Sequence, residues 1–129
     1  MTHRKTLGVV LAFLLLAAFI SANAIARPWL HARSLEHADV ARDVSRALDR
    51  GDLRLLGIEG VAVYLPGTDS ALYDAATSGR CRFRIIYAGD AFNSDLAKRV
   101  ADASFRYAAS YNRNLVARVG MGRLCTIAR

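Results

Sequence analysis

The sequence is poor in the residues that most often carry chemistry. Among its 129 residues are three histidines, two cysteines and one tryptophan. His31 and His37 are the only imidazoles beyond the first few residues. Spacing could pair His37 with Asp39, yet both positions suit exposed residues at the start of a helix. Ser70, Ser78, Ser94, Ser104 and Ser110 are all outside a Gly-x-Ser-x-Gly elbow, the strained turn that presents a serine nucleophile. Cys81 and Cys125 do not form a Cys-x-x-Cys pair, which argues against thiol redox catalysis. Structural zinc takes about four ligands, more than this inventory supplies nearby. Phosphate-cradling glycine loops and dinucleotide fingerprints are also missing. No metal and no cofactor are expected, and a catalytic role is not. The nearest approach to one is a set of loop carboxylates, Asp69, Asp74, Asp90 and Asp95. Paired carboxylates could hydrolyse a glycosidic bond, but aspartate is also what turns and helix caps ordinarily contain.

Charge is missing from one stretch altogether. After His3, Arg4 and Lys5, residues 7–20 (LGVVLAFLLLAAFI) form an uncharged apolar run. Small residues follow it, in Ser21-Ala22-Asn23-Ala24-Ile25-Ala26. A basic start, an apolar core of this length and a small-x-small tail describe a secretory signal peptide covering residues 1–24, cut after Ala24. The alternative is an uncleaved anchor over residues 7–26, a length just sufficient to span a bilayer. Either way the remainder is expected outside the cytoplasm, in the periplasm or cell envelope. Residues 25–34, with Pro28, read as a linker, and residues 35–129 as one small domain.

Lysine is nearly absent from that exported part. Its sixteen basic residues are arginine except Lys98, and they face eleven acidic residues, leaving a net charge of about +5. Such a surface suits anions, although acidic residues are interspersed throughout. Two cysteines in an oxidising compartment are expected to pair, Cys81 with Cys125. The loop they close would stabilise the fold by roughly 4 kcal/mol in the chain-entropy model.

Periodicity gives the elements. Residues 35–50 read as a helix capped by Ser34, with Val40, Ala41, Val44, Ala47 and Leu48 on one face and Gly51 as its stop. Opposite charges pair along its other face, as in Asp39/Arg42, Asp43/Arg46 and Arg46/Asp49. Residues 58–65 read as a strand. Residues 68–78 fit a short helix or an irregular arm, and the choice decides strand direction, because a helix permits a parallel crossover. Residues 81–87 form the clearest strand, with Cys81, Phe83, Ile85 and Tyr87 on one face and Arg82, Arg84 and Ile86 on the other. A long helix follows from Asp95 to about Val116, its apolar arc too wide for one sheet face. A last strand is expected over residues 123–128. The result is an α+β two-layer sandwich, a three-stranded sheet with two main helices on one side.

Two features could bind. Alternation places Arg80, Arg82 and Arg84 in a row about 6.6 Å apart, suited to phosphate or carboxylate, or else to plain solvent. Phe105, Tyr107 and Tyr111 along the long helix could form an interaction surface or face the core. Nucleic acid is not expected, since no aromatic platform adjoins the basic row. The function expected is a non-catalytic binding or adaptor module for a protein or an anionic envelope component. A membrane-tethered subunit of a secretion or surface-appendage machine, and a small envelope hydrolase, are the alternatives. Membrane contact is expected only through an uncleaved N-terminus, and oligomeric state is left open.

Overall fold

An unbroken helix, α1 (Thr2–Glu36), opens the chain. The computed structural model describes residues 2–58, 66–67, 80–86 and 95–125. Leu7, Phe13, Leu16, Phe19 and Ile25 all stand exposed along α1. The helix is long and apolar enough to cross a membrane, and its place at the N-terminus equally suits a signal sequence. Its last turns behave differently. Ala32 is buried and Leu35 packs beside it, against Val100 and Ala103 of the long helix. Residues 25–34 are therefore helical, where an irregular linker was expected, and Ser34 lies inside α1 rather than at a cap. Pro28 removes the backbone donor that would reach the Ala24 carbonyl, and its ring crowds that carbonyl. Burial of Ala32 and Leu35 and the continuity of the apolar run outweigh that loss.

The chain breaks at residues 37–39, and Asp39 caps the next helix, its Oδ1 accepting from the Arg42 N–H at 3.1 Å. This helix, α2 (Val40–Asp49), buries Val44 and Ala47, three residues apart and so on one face. Gly51 ends it in the left-handed region at φ +69°, its N–H bonding the Leu48 carbonyl at 2.9 Å. Two strands follow, β1 (Leu55–Ile58) and β2 (Phe83–Ile86), then the long helix α3 (Asp95–Val119) and a single turn, α4 (Met121–Leu124). Gly120, at φ +80°, makes the corner between α3 and α4.

β1 and β2 pair in parallel, with Leu55 opposite Phe83 and Ile58 opposite Ile86. Strand direction, open on the sequence, is thus settled, while residues 68–78 lie outside the described residues. β1 starts three residues before the expected strand 58–65, of which residues 59–65 also lie outside the described residues. Leu55, Leu56 and Gly57 are all buried. A strand covered on both faces reads as a continuous apolar run and shows no alternation.

The expected three-stranded sheet is, among the described residues, a two-stranded one. Residues 123 and 124, expected to begin a third strand, belong to α4. Cys125 makes one antiparallel bridge with Cys81, and residues 126–128 lie outside the described residues. The edge of β1 away from β2 is met by a side chain. The Leu55 N–H points to β2, bonding the Arg82 carbonyl at 2.9 Å. Successive strand residues point their backbone groups to opposite sides, so Leu56 faces away from β2. There Asn112 of α3 takes the place of a strand: its Oδ1 accepts from the Leu56 N–H at 2.7 Å. Its Nδ2 donates to the Leu56 carbonyl at 2.9 Å and the Pro66 carbonyl at 2.8 Å. Gly67, next to Pro66, is at φ +74°, and a Cβ there would lie 2.3 Å from the Ala109 carbonyl oxygen.

The breadth of the apolar arc on α3 now has its reason. α3 packs against α1, α2, β1 and α4 at once. Its Ala108, Tyr111 and Leu115 join Val44, Ala47, Leu55, Leu56 and Leu124 in the main core. The Cys81–Cys125 disulfide borders that core and ties the entry of β2 to the residue after α4. Next to it, the Arg82 N–H reaches the Leu124 carbonyl at 3.4 Å. The molecule is a mixed helix-and-strand domain fastened by one cystine.

Candidate functional site

The arginines expected in one row part company. Arg80 and Arg82 border a hollow of about 270 Å³ with Leu53, Gly122, Arg123, Leu124 and Cys125. Arg84 lines a different hollow, of about 260 Å³, with Asp43, Arg46, Arg50, Tyr107 and Tyr111. The two that stay together precede β2, whose ladder begins at Phe83, and Arg84 lies within it. The face assignment also changes. Ile85, read as facing inward, is 44% exposed. Ile86 packs against the core, and Arg84 is half-buried against the helices.

The first hollow is an arginine-edged depression beside the disulfide. Arg80, Arg82 and Arg123 are all exposed. Three guanidiniums around a solvent-open hollow can receive carboxylate or phosphate groups of a larger partner. Among the described residues no ion pair is made by any of them.

The second hollow lies between α2, β2 and α3. Arg46 and Arg50 are four apart on α2 and its C-cap, and so share a side. Asp43, expected to pair with Arg46, is engaged elsewhere: its Oδ2 accepts from the Tyr107 hydroxyl at 2.8 Å. Burial first, and then this bond to a carboxylate, push the Tyr107 phenol far above its ordinary pKa. Tyr111, one turn along α3, is only 1% exposed. It is a core residue and presents no surface ring, which corrects the expectation that it could. Burial raises the pKa of its phenol too, with Arg84 acting in the opposite direction. The Tyr111 hydroxyl and the Arg84 Nε are shut from solvent without a hydrogen-bond partner. Phe105, the third aromatic, is 43% exposed.

Of the remaining candidates, those among the described residues stand apart from one another. Asp95 opens α3 and is exposed, while Asp69, Asp74 and Asp90 lie outside the described residues. So do Ser70, Ser78 and Ser94; Ser104 is buried and Ser110 half-buried on α3. His31 and His37 are exposed, and Asp39 is occupied as a cap. Among the described residues no three of His, Cys, Asp and Glu gather closely enough to share a metal ion.

Sequence reasoning missed Arg46, Arg50 and Asn112. Arg46 was assigned to intrahelical charge pairs. The signal that could have singled it out is its four-residue spacing from Arg50, which keeps two guanidiniums on one side of the helix end. Asn112 carries no signal beyond a polar residue within an apolar arc.

Comparison with protein-family models, with curated proteins and with solved structures finds no match to this chain.

Proposed function

We propose that this chain is an exported cell-envelope protein that works by binding, its arginines engaging an external protein or an anionic envelope component. The observation that carries the reading is a cystine in a domain that follows an apolar N-terminal helix. Cystines persist in oxidising compartments and are rare where thiols are kept reduced. The hollow edged by Arg80, Arg82 and Arg123 supplies the surface for the partner. Arginine suits the task because its planar guanidinium takes carboxylate or phosphate through two parallel hydrogen bonds.

Two measurements test this. Intact-mass analysis of the natural product, before and after reduction, is expected to give a gain of two hydrogens. A chain recovered from the cytosol with both thiols free would overturn the assignment. Replacing Arg80 and Arg82 together by Glu is expected to preserve the fold, since both are exposed, and to abolish capture of envelope partners. Unchanged capture would remove this surface from the account.

A second reading keeps export but retains the N-terminus as a tether. α1 runs without a break from its exposed apolar stretch into the turns docked on α3. Residues 7–26, in helical form, are about 30 Å long, the thickness of the hydrocarbon core. Flanking charge does not decide the topology, as Arg4 and Lys5 precede the stretch while Arg27 and Arg33 follow it. On this reading Trp29 and its docked turns seat the domain directly on the membrane surface. The same mass measurement separates the two: a chain beginning at Ile25 means cleavage, and one retaining residues 1–24 means a tether.

A further inference from the structure

We propose that the hollow between α2, β2 and α3 is a phosphate-binding site, with Arg46, Arg50 and Arg84 surrounding the anion and the Tyr111 hydroxyl donating to it. The proposal rests on the reading of this domain as a binder of anionic groups, and gives that reading a second site with its own chemistry. Three guanidiniums line the hollow against one carboxylate, Asp43, among the described residues. That carboxylate accepts the Tyr107 proton at 2.8 Å. No ion pair neutralises Arg46, Arg50 or Arg84 among the described residues. Like charges brought together repel, and an anion between them removes that repulsion.

The deeper wall makes the same case independently. Tyr111 is almost wholly buried and lines the hollow, yet its hydroxyl donates to nothing. The Arg84 Nε is equally shut off and unpartnered. Buried polar groups are ordinarily satisfied, and with the Arg84 guanidinium beside the phenol oxygen the hydroxyl proton still lacks an acceptor, which points to one that occupies the hollow. The phenol keeps its proton at neutral pH, because burial raises its pKa, and it is therefore available as a donor.

Donor number and direction favour phosphate. Four donor groups reach the hollow from α2, β2 and α3, three separate elements. A carboxylate has two oxygens in one plane, whereas a phosphate offers at least three around a tetrahedron. The volume of about 260 Å³ leaves room for the carrier of the phosphate as well. That carrier is either a free phosphate ester or the headgroup of a lipid.

The test uses the full, disulfide-intact chain in an uncharged, phosphate-free detergent at fixed ionic strength. The buried Arg84 Nε–H serves as the reporter in a nitrogen–proton correlation spectrum. Inorganic phosphate is expected to move that signal saturably, and acetate at the same concentration is not. Arg46→Gln with Arg50→Gln is expected to weaken phosphate binding about tenfold or more, each change removing a charged donor from an exposed helix side. Tyr111→Phe, which deletes one oxygen from a site still filled by its ring, is expected to weaken it severalfold. Arg80→Gln with Arg82→Gln is expected to change it less than about twofold, which separates this site from the partner-binding surface. Dihexanoyl phosphatidic acid, kept below its micellar concentration, distinguishes the carriers. Binding about tenfold tighter than phosphate assigns a lipid headgroup, and equal binding assigns a free phosphate group. An unmoved Arg84 signal, an equal response to acetate, or an equal loss in the Arg80 and Arg82 variant would each overturn the proposal. Any of those results leaves partner capture at Arg80 and Arg82 standing.

Discussion

The two halves of α3 are held in different ways. Its C-terminal half enters the main core, where Ala108, Tyr111 and Leu115 meet α2, β1 and α4, and Asn112 fastens the edge of β1. Among the described residues, its N-terminal half packs into a smaller apolar cluster, Ala32, Leu35, Val100 and Ala103. Around that cluster the contacts are polar and partly exposed. Arg99 makes two bonds to Glu36, at 2.9 and 2.8 Å. Arg33 and Arg99 both lie over the Trp29 ring, at 5.2 and 6.0 Å from its centroid. One half of the helix therefore builds the domain, and the other receives α1 as a docked arm. Perturbing the first half should unfold the molecule, whereas perturbing the second should release only the arm.

The largest effect is expected at Asn112. Asn112→Leu keeps the volume but strands the Leu56 N–H, the Leu56 carbonyl and the Pro66 carbonyl in the core. Each unsatisfied group costs roughly 1–3 kcal/mol, so a loss of about 4 kcal/mol is expected in denaturant unfolding followed by circular dichroism. That approaches the whole stability of many small domains. A loss below about 1 kcal/mol would mean that the amide is not the fastening of β1, and the contrast between the halves would fail.

Asn112 also marks where the sequence stops being legible. The cystine could be read from compartment and parity alone, and α2 and α3 from their apolar stripes, because each stripe is local. Strand β1 could not be placed, since burial on both faces erases the alternation that identifies a strand. The third strand, expected next to the one that starts at Cys81, is reduced among the described residues to the Cys81–Cys125 bridge. At the other edge, an asparagine fifty-six positions from Leu56 bonds β1, and no local pattern announces that. The arginine row divides at Arg84, the member inside the β2 ladder, which lines a hollow shared with α2 and α3. The second hollow draws its arginines from α2 and β2, and only the tertiary fold brings those together.

The hydrogen bond between Tyr107 and Asp43 sharpens the comparison, because it belongs to the half that builds the domain yet lies at its edge. Both phenols of this half have pKa values raised above about 10 in the fold. In the unfolded chain they ionise near that pH, while in the folded chain they keep their protons. The unfolded state then binds fewer protons, so stability is fully present below about pH 10 and falls as pH rises further. Tyr107→Phe is expected to cost about 1 kcal/mol at neutral pH through loss of the bond. It should also flatten the alkaline decline, measured as urea midpoints between about pH 8 and 11. An unchanged slope would mean that Tyr107 is not held protonated by the fold.

The smallest change in free energy is expected at Arg99, and its location carries the information. The Arg99–Glu36 pair is partly exposed, and such pairs contribute about 0.2–1 kcal/mol. Arg99→Gln also removes one of the two guanidiniums over Trp29, a contact of about 0.5–1 kcal/mol at exposed sites. The urea midpoint of the domain should therefore shift little. Hydrogen exchange should instead accelerate in the docked turns, from Trp29 to Glu36, while Leu55, Leu56 and the C-terminal half of α3 keep their protection. Local opening of this kind reports the stability of one segment separately from that of the whole. If protection falls equally in both regions, α1 and the core unfold as one unit, and the arm is part of the cooperative domain rather than docked upon it.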